Sequence, residues 1–255
     1  MSEVQVKEEL KEFFGDRPLF YIKFTSREEW AKDLLDGNIF MNKVQYYRDL
    51  ESKSGVKGQG DIKELKANIV DVELQLKNDE MNICIPMQAK NLEFEYEDDK
   101  NKPVFCITGL TIDDMIINSY NESSVNVSLP YGEDDIELLK SEFGEFVVIL
   151  NPNKFENAIR KTLDLGDKGW IFNKVRYRGK NALDRIESFS EESPERFLYK
   201  DTPFSHQKEY RLVIDENIES TKVISIGSLR DAGNVMKIED FVSNIDITLN
   251  FKDKQ

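Results

Sequence analysis

Positions 203–215 read Pro203-Phe204-Ser205-His206-Gln207-Lys208-Glu209-Tyr210-Arg211-Leu212-Val213-Ile214-Asp215, a charged, hydrogen-bonding run that passes without a break into a short apolar strand. A strand that carries polar groups into a packed domain must find partners for them, because an unpaired buried polar group costs free energy. Whatever fold forms must therefore place counter-charges around this segment. Glu209 and Arg211 are two apart, so on a strand they share a face and can pair with each other. The segment also holds the only histidine of the chain, His206, which reads as a polar residue at the rim of the strand. Glu209 is the first candidate for a chemical site.

The surrounding chain mixes two periods. Val6, Leu10, Phe13 and Phe14 recur at helical spacing and predict a helix over 3–14, closed by Gly15. Ser26 and Glu29 have the spacing of a capping box, opening a helix that buries Trp30, Leu34 and Leu35 and stops at Gly37. Segments 18–24, 39–41, 104–110, 146–150, 223–226 and 245–251 read as strands, the run at 146–150 as a central one. Val70, Val72, Leu74 and Leu76 alternate with Asp71, Glu73 and Gln75, which predicts a meander with one wet and one dry face. The polar stretch 118–130 reads as a loop. Residues 51–64, with Gly55, Gly58, Gly60, Lys53 and Lys57, read as a mobile surface loop. Segment 170–177, followed by Arg178, carries a basic strip that protects an edge strand, though its aromatics also suit a nucleotide. Helical segments are interspersed with strands and no linker is visible. The expectation is one α+β domain over 1–255, built on a mixed, largely antiparallel sheet with flanking helices.

Composition removes several classes of function. The formal net charge of −14 disfavours bulk binding to nucleic acid or to an anionic membrane. It suits an acidic protein that meets a basic partner. No run approaches a membrane span, and the acidic N-terminus has no apolar core of a signal peptide, so a cytoplasmic protein is expected. Cys84 and Cys106 lie in apolar strand-like runs and read as buried free thiols, with no metal-ligand spacing. A single histidine and the lack of a Gly-x-Ser-x-Gly elbow leave little room for a Ser/His/Asp triad. The glycine-rich segment lacks the closing Gly-Lys-Ser/Thr of a P-loop, and no Rossmann fingerprint occurs.

Two blocks carry a resemblance. The first reads Leu19-Phe20-Tyr21-Ile22-Lys23-Phe24-Thr25-Ser26, then a helix, then Gly37-Asn38-Ile39-Phe40-Met41-Asn42 and Tyr46-Tyr47-Arg48. The second is Phe204-Ser205-His206-Gln207-Lys208-Glu209-Tyr210-Arg211. Together they resemble an uncharacterised bacterial and phage protein family that opens with a Tyr/Phe-rich strand ending in Thr-Ser and carries a late Glu-x-Arg strand. That layout is distantly similar to ADP-ribosyltransferases. The resemblance implies an NAD-using enzyme of phage–bacteria conflict. In it Gln207-Lys208-Glu209 stands for the Gln-x-Glu motif, with Glu209 and Gln207 catalytic. Lys23 takes the place of the first-strand His or Arg, Tyr46 or Tyr47 stacks on nicotinamide, and Arg211 completes the cofactor-binding set.

The alternative expectation is a non-enzymatic acidic inhibitor, for example a phage-encoded anti-defence protein. It would bind a host or phage protein through a large surface, with homo-oligomers supplying that surface.

Overall fold

Six consecutive buried residues, Glu209–Ile214, mark a strand covered on both faces, so the segment that constrains the sequence also sits inside the principal sheet. The computed structural model describes residues 3–54, 64–78, 80–244 and 247–250. In chain order, α1 (Glu3–Phe14), β1 (Phe20–Thr25), α2 (Glu28–Leu35), β2 (Asn38–Lys43) and α3 (Val44–Ser54) come first. Then come β3 (Ala67–Asn78), β4 (Ile83–Phe94), β5 (Pro103–Leu110), β6 (Ile116–Tyr120) and β7 (Ser124–Ser128). The middle of the chain forms α4 (Glu133–Phe143), β8 (Phe146–Leu150), α5 (Pro152–Leu163), β9 (Trp170–Lys174), β10 (Arg176–Tyr177), α6 (Leu183–Ser190) and β11 (Tyr199–Lys200). The last elements are β12 (Glu209–Ile214), β13 (Thr221–Ser225), β14 (Gly233–Lys237), α7 (Ile238–Asn244) and β15 (Ile247–Asn250).

The main sheet has eight strands in the order β13-β2-β5-β1-β8-β14, with β12 lying between β5 and β9. Its pairings are antiparallel. A parallel pair, β10–β11, a three-stranded sheet, β15-β7-β6, and the two-stranded ribbon β3–β4 surround it. Helices and mostly antiparallel sheets in this mixture make an α+β fold.

Strand alternation sends side chains to two cores. One face, with Tyr21, Phe105, Ile107, Val148 and Leu212, packs under α2 and α5. There Tyr21 meets Phe155, Phe172 and Tyr210 edge-on at 5.6, 5.6 and 5.2 Å, the geometry that aromatic quadrupoles favour. The other face, with Ile22, Leu110 and Val147, is covered by α1, α7 and β7. A third cluster joins Val44, Leu65, Val104, Phe189, Phe197 and Val213. Each fully buried aliphatic or aromatic side chain contributes about 1.5–3 kcal/mol. Between α2 and β2, Gly37 has φ +89°, and a Cβ there would lie 1.9 Å from the Gly227 carbonyl oxygen, so only glycine closes this junction.

Several expectations need correction. α2 begins at Glu28 after Arg27, and Ser26 does not cap it. Trp30 is half-exposed, because Ala31, Leu34 and Leu35 alone form the buried stripe of α2. The 118–130 stretch contains the end of β6 and all of β7. Val125, Val127 and Leu129 of that asparagine- and serine-rich segment are the residues that enter a core. The alternation at 70–76 belongs to a two-stranded ribbon that is exposed over most of its outer length rather than a half-buried meander. Cys84 is exposed on that ribbon and Cys106 is half-buried, so neither is the fully buried thiol expected. Of the expected loop 51–64, residues 51–54 complete α3 and Glu64 is buried, while 55–63 lie outside the described residues. Among the described strands β9 pairs with β12 alone, so Lys174 sits on an edge of the main sheet, whereas Arg176 belongs to β10 and pairs with β11. No helix among the described residues is long and apolar enough to cross a membrane.

Candidate functional site at a split in the sheet

The site arises because β5 is shared unequally. β1 pairs with it from Phe20 to Ile22, opposite Leu110 to Thr108, and β2 pairs with it at Asn42 and Lys43, opposite Val104 and Pro103. Residues 105–107 therefore meet neither strand on that edge, and the sheet opens there. A cleft of about 920 Å³ occupies the opening. Its wall includes Lys23, Tyr46, Tyr47, Gln207, Glu209 and Arg211, which are all six residues that the sequence singled out.

Each residue reaches the cleft by a definable route. By register Ile22 and Glu209 both lie opposite Thr108, on either edge of β5, and so share one sheet face, while Lys23 leaves from the other face. Its amine crosses into the opening, donates to the Cys106 carbonyl (2.7 Å) on the unpaired edge, and sits 5.1 Å from the Phe105 ring centroid. Gln207 ends a 3-10 turn, Thr202–Gln207, and Lys208 then takes φ 46°, ψ 44° before β12 begins. This left-handed residue separates Gln207 from the strand, so the run at 203–215 is broken one residue before Glu209. The Lys208 carbonyl accepts from the Gly109 amide (2.9 Å) and its amine pairs with Asp114, which holds the kink. Tyr46 and Tyr47 lie on α3 with rings edge-to-face at 5.4 Å. Trp30, Phe40 and Phe143 extend the aromatic wall.

Glu209 sits at the centre of an ion cluster. Its side chain is 6% exposed. One carboxylate oxygen accepts from Arg211 Nε (2.8 Å), the other from Lys200 Nζ (3.0 Å). Lys200 also donates to Gln207 Oε1 (2.7 Å), so one amine ties both Gln207 and Glu209 in place. The Arg211 guanidinium bridges onward to Glu64 (2.5 Å) and to the Phe197 carbonyl (2.7 Å). The Glu209 amide donates to the Tyr177 hydroxyl (2.8 Å), and the Cys106 thiol donates to its carboxylate. Two buried carboxylates thus face two buried cations, and the geometry satisfies them with charge-assisted hydrogen bonds.

The titration behaviour follows from this arrangement. Burial alone would raise the Glu209 carboxyl, but Arg211 and Lys200 outweigh it and hold it far below the usual carboxylate range. Burial alone would lower the Lys200 amine, yet Glu209 and Glu64 keep it above its ordinary value. Desolvation lowers the Lys23 amine. Burial, with the Glu209 charge beside it, pushes the Cys106 thiol up to about 12, so it is a neutral donor and not a nucleophile at neutral pH. Asp114 is also depressed, because Lys208 and the Thr111 donors overcome its burial.

A depressed carboxylate contributes stability that is present above its unfolded pKa, about 4.3, and is lost as pH falls through the folded value. Urea midpoints should therefore stay nearly level from pH 7 to 5. Below that they should fall, the unfolding free energy declining by up to about 1.4 kcal/mol per pH unit for each such group, with the Glu209 contribution the last to go. A decline that begins above pH 5 would show that these carboxylates are not held as described.

Lys200, Glu64, Cys106 and Tyr177 were not anticipated. The demand that buried charges be paired was the one signal that could have found Lys200 and Glu64. His206 is exposed, its Nδ1 beside the Pro203 carbonyl (3.1 Å). It does line a small cavity of about 70 Å³ that shares Lys23, Gln207 and Glu209 with the cleft. Among the described residues no group of three or more His, Cys, Asp or Glu side chains could hold a metal ion. Comparison with protein-family models, with curated proteins and with solved structures finds no match for the chain.

Proposed function

We propose that the cleft takes NAD and that the protein is an ADP-ribosyltransferase-like enzyme, acting in conflict between a phage and its bacterial host. The observation that carries this reading is convergence. Lys23 from the first strand, the Tyr46–Tyr47 pair and Gln207-x-Glu209 are far apart in sequence and line one cleft. Its volume of about 920 Å³ lies within the range of about 300–1,000 Å³ for small-molecule sites. Aromatic walls suit flat rings, and the Lys23 amine suits an anionic ligand. In this reading Glu209 receives the nicotinamide-ribose hydroxyl and stabilises positive charge developing on that ribose. An acceptor group attacks the anomeric carbon, the bond to nicotinamide breaks, and the acceptor's proton is released. Arg211 and Lys200 keep the carboxylate ionised and oriented.

One observation favours a second reading. Both Glu209 oxygens are already engaged by Arg211 and Lys200, so the ion cluster serves equally as scaffolding in an acidic, non-enzymatic inhibitor that binds another protein. Calorimetric titration with NAD separates the two. The enzyme reading expects saturable one-to-one binding that is lost in Lys23→Met. Titration without heat or saturation, with a stoichiometric partner recovered from host extract, would establish the inhibitor instead.

A further inference from the structure

The ribbon of β3 and β4 carries an apolar face that no described element covers. The strands are twelve residues each and pair only with each other. Their base is anchored: Ala67 is buried, and Phe94 packs edge-on against Phe189 at 5.7 Å. Farther out, the register sets Val72 opposite Ala89, Leu76 opposite Ile85 and Asn78 opposite Ile83. Alternation puts these and Met87 on one face. The other face carries Glu73, Gln75, Lys77 and Gln88, with Gln88 donating to Glu73 at 3.4 Å. Period two of this kind is the pattern of a sheet with one dry side. Yet Leu76 is 59% exposed, Ile85 51%, Met87 46% and Ile83 43%. A two-stranded hairpin alone in water is marginally stable.

We propose that this face is a dimer interface, on which the same ribbon of a second copy of the chain packs face to face about a two-fold axis. Charge permits a copy of itself. From Val72 to Leu76 and from Ile83 to Ala89 the positions on this face bear no ionisable side chain. Two molecules of net charge −14 can therefore meet there without like charges opposed across the contact. Area agrees. The exposed portions of Val70, Leu76, Ile83, Ile85 and Met87 amount to roughly 500 Å² per copy, and about 1,000 Å² in a symmetric pair is where specific interfaces begin. The same apolar strip is presented by both copies, as a two-fold contact requires. Two ribbons stacked this way make a four-stranded sandwich whose interior is the present exposed face. The inference is independent of the chemistry in the cleft.

Sedimentation velocity of the full chain, from low to high micromolar, tests it. A monomer–dimer equilibrium is expected. Leu76→Glu with Ile85→Glu should weaken self-association at least tenfold while leaving the circular dichroism spectrum unchanged, since both side chains are exposed in the single chain. A second measurement needs no variant. Hydrogen exchange of the amides of 83–89 should slow as the wild-type concentration rises. A wild-type chain that sediments as a monomer throughout overturns the proposal, as does a double variant that dimerises like the wild type. Exchange that does not change with concentration counts against it in the same way.

Discussion

Replacing Glu209 with Gln should lower NAD turnover on the order of a thousandfold, the effect of removing one preorganised electrostatic group aimed at developing charge. On the transfer chemistry proposed here, the carboxylate acts on positive charge that appears on the ribose only as the nicotinamide bond breaks. The loss should therefore fall on kcat, with NAD affinity within a few-fold of wild type. The variant also disturbs the fold, because Arg211 and Lys200 would then have Glu64 as the one carboxylate left of the cluster's two. Turnover must be referred to the folded fraction, read from a urea titration of the same preparation. Glu64→Gln provides the comparison. It removes a charge from the same cluster without touching Glu209, so it should lower stability while sparing kcat. Equal losses of kcat in the two variants would mean that Glu209 acts only through the fold. Wild-type turnover retained in the Glu209 variant would remove it from the chemistry.

The parts of the fold legible in the sequence were those where one short segment carries its own reason. The run at 146–150 is apolar throughout and became β8 between β1 and β14. Val6 and Leu10 at helical spacing became the buried side of α1. Glu209 and Arg211, two apart, do pair. What failed were inferences that needed a neighbour. Trp30 is large and apolar, so burial was expected, but its helix turns Ala31 and Leu34 inward and leaves the indole beside Arg27 (5.1 Å) on the cleft wall. The alternation at 70–76 does have period two but does not make a half-buried sheet, because periodicity says which residues share a face and nothing about whether a layer covers it. Lys200 and Glu64 carry no local pattern. They matter because the chain brings them from 9 and 145 residues away to a carboxylate that the strand buries, and only tertiary structure contains that fact.

Arg211→Met should cost about 3–5 kcal/mol of stability, the usual price of removing one partner from a buried ion pair. The guanidinium is 1% exposed and holds two carboxylates and a carbonyl at once: Glu209 at 2.8 Å, Glu64 at 2.5 Å and Phe197 O at 2.7 Å. Methionine fills much of the volume, so the loss isolates charge and hydrogen bonding rather than a cavity. Arg211→Lys should recover little, because a single ammonium cannot present the fork that spans Glu209 and Glu64. Adding Glu64→Gln to Arg211→Met should restore part of the deficit, with a coupling of about 0.5–3 kcal/mol expected between direct contacts. Arg211 is the strongest of the charges that hold the Glu209 carboxyl down, so without the guanidinium less stability depends on that group being ionised. The gap between variant and wild type in urea should accordingly narrow as the pH falls below about 5 and wild type loses that contribution. A gap below about 1 kcal/mol at pH 7, the scale of an exposed pair, or one that widens with acid, would mean that Arg211 does not neutralise these buried carboxylates.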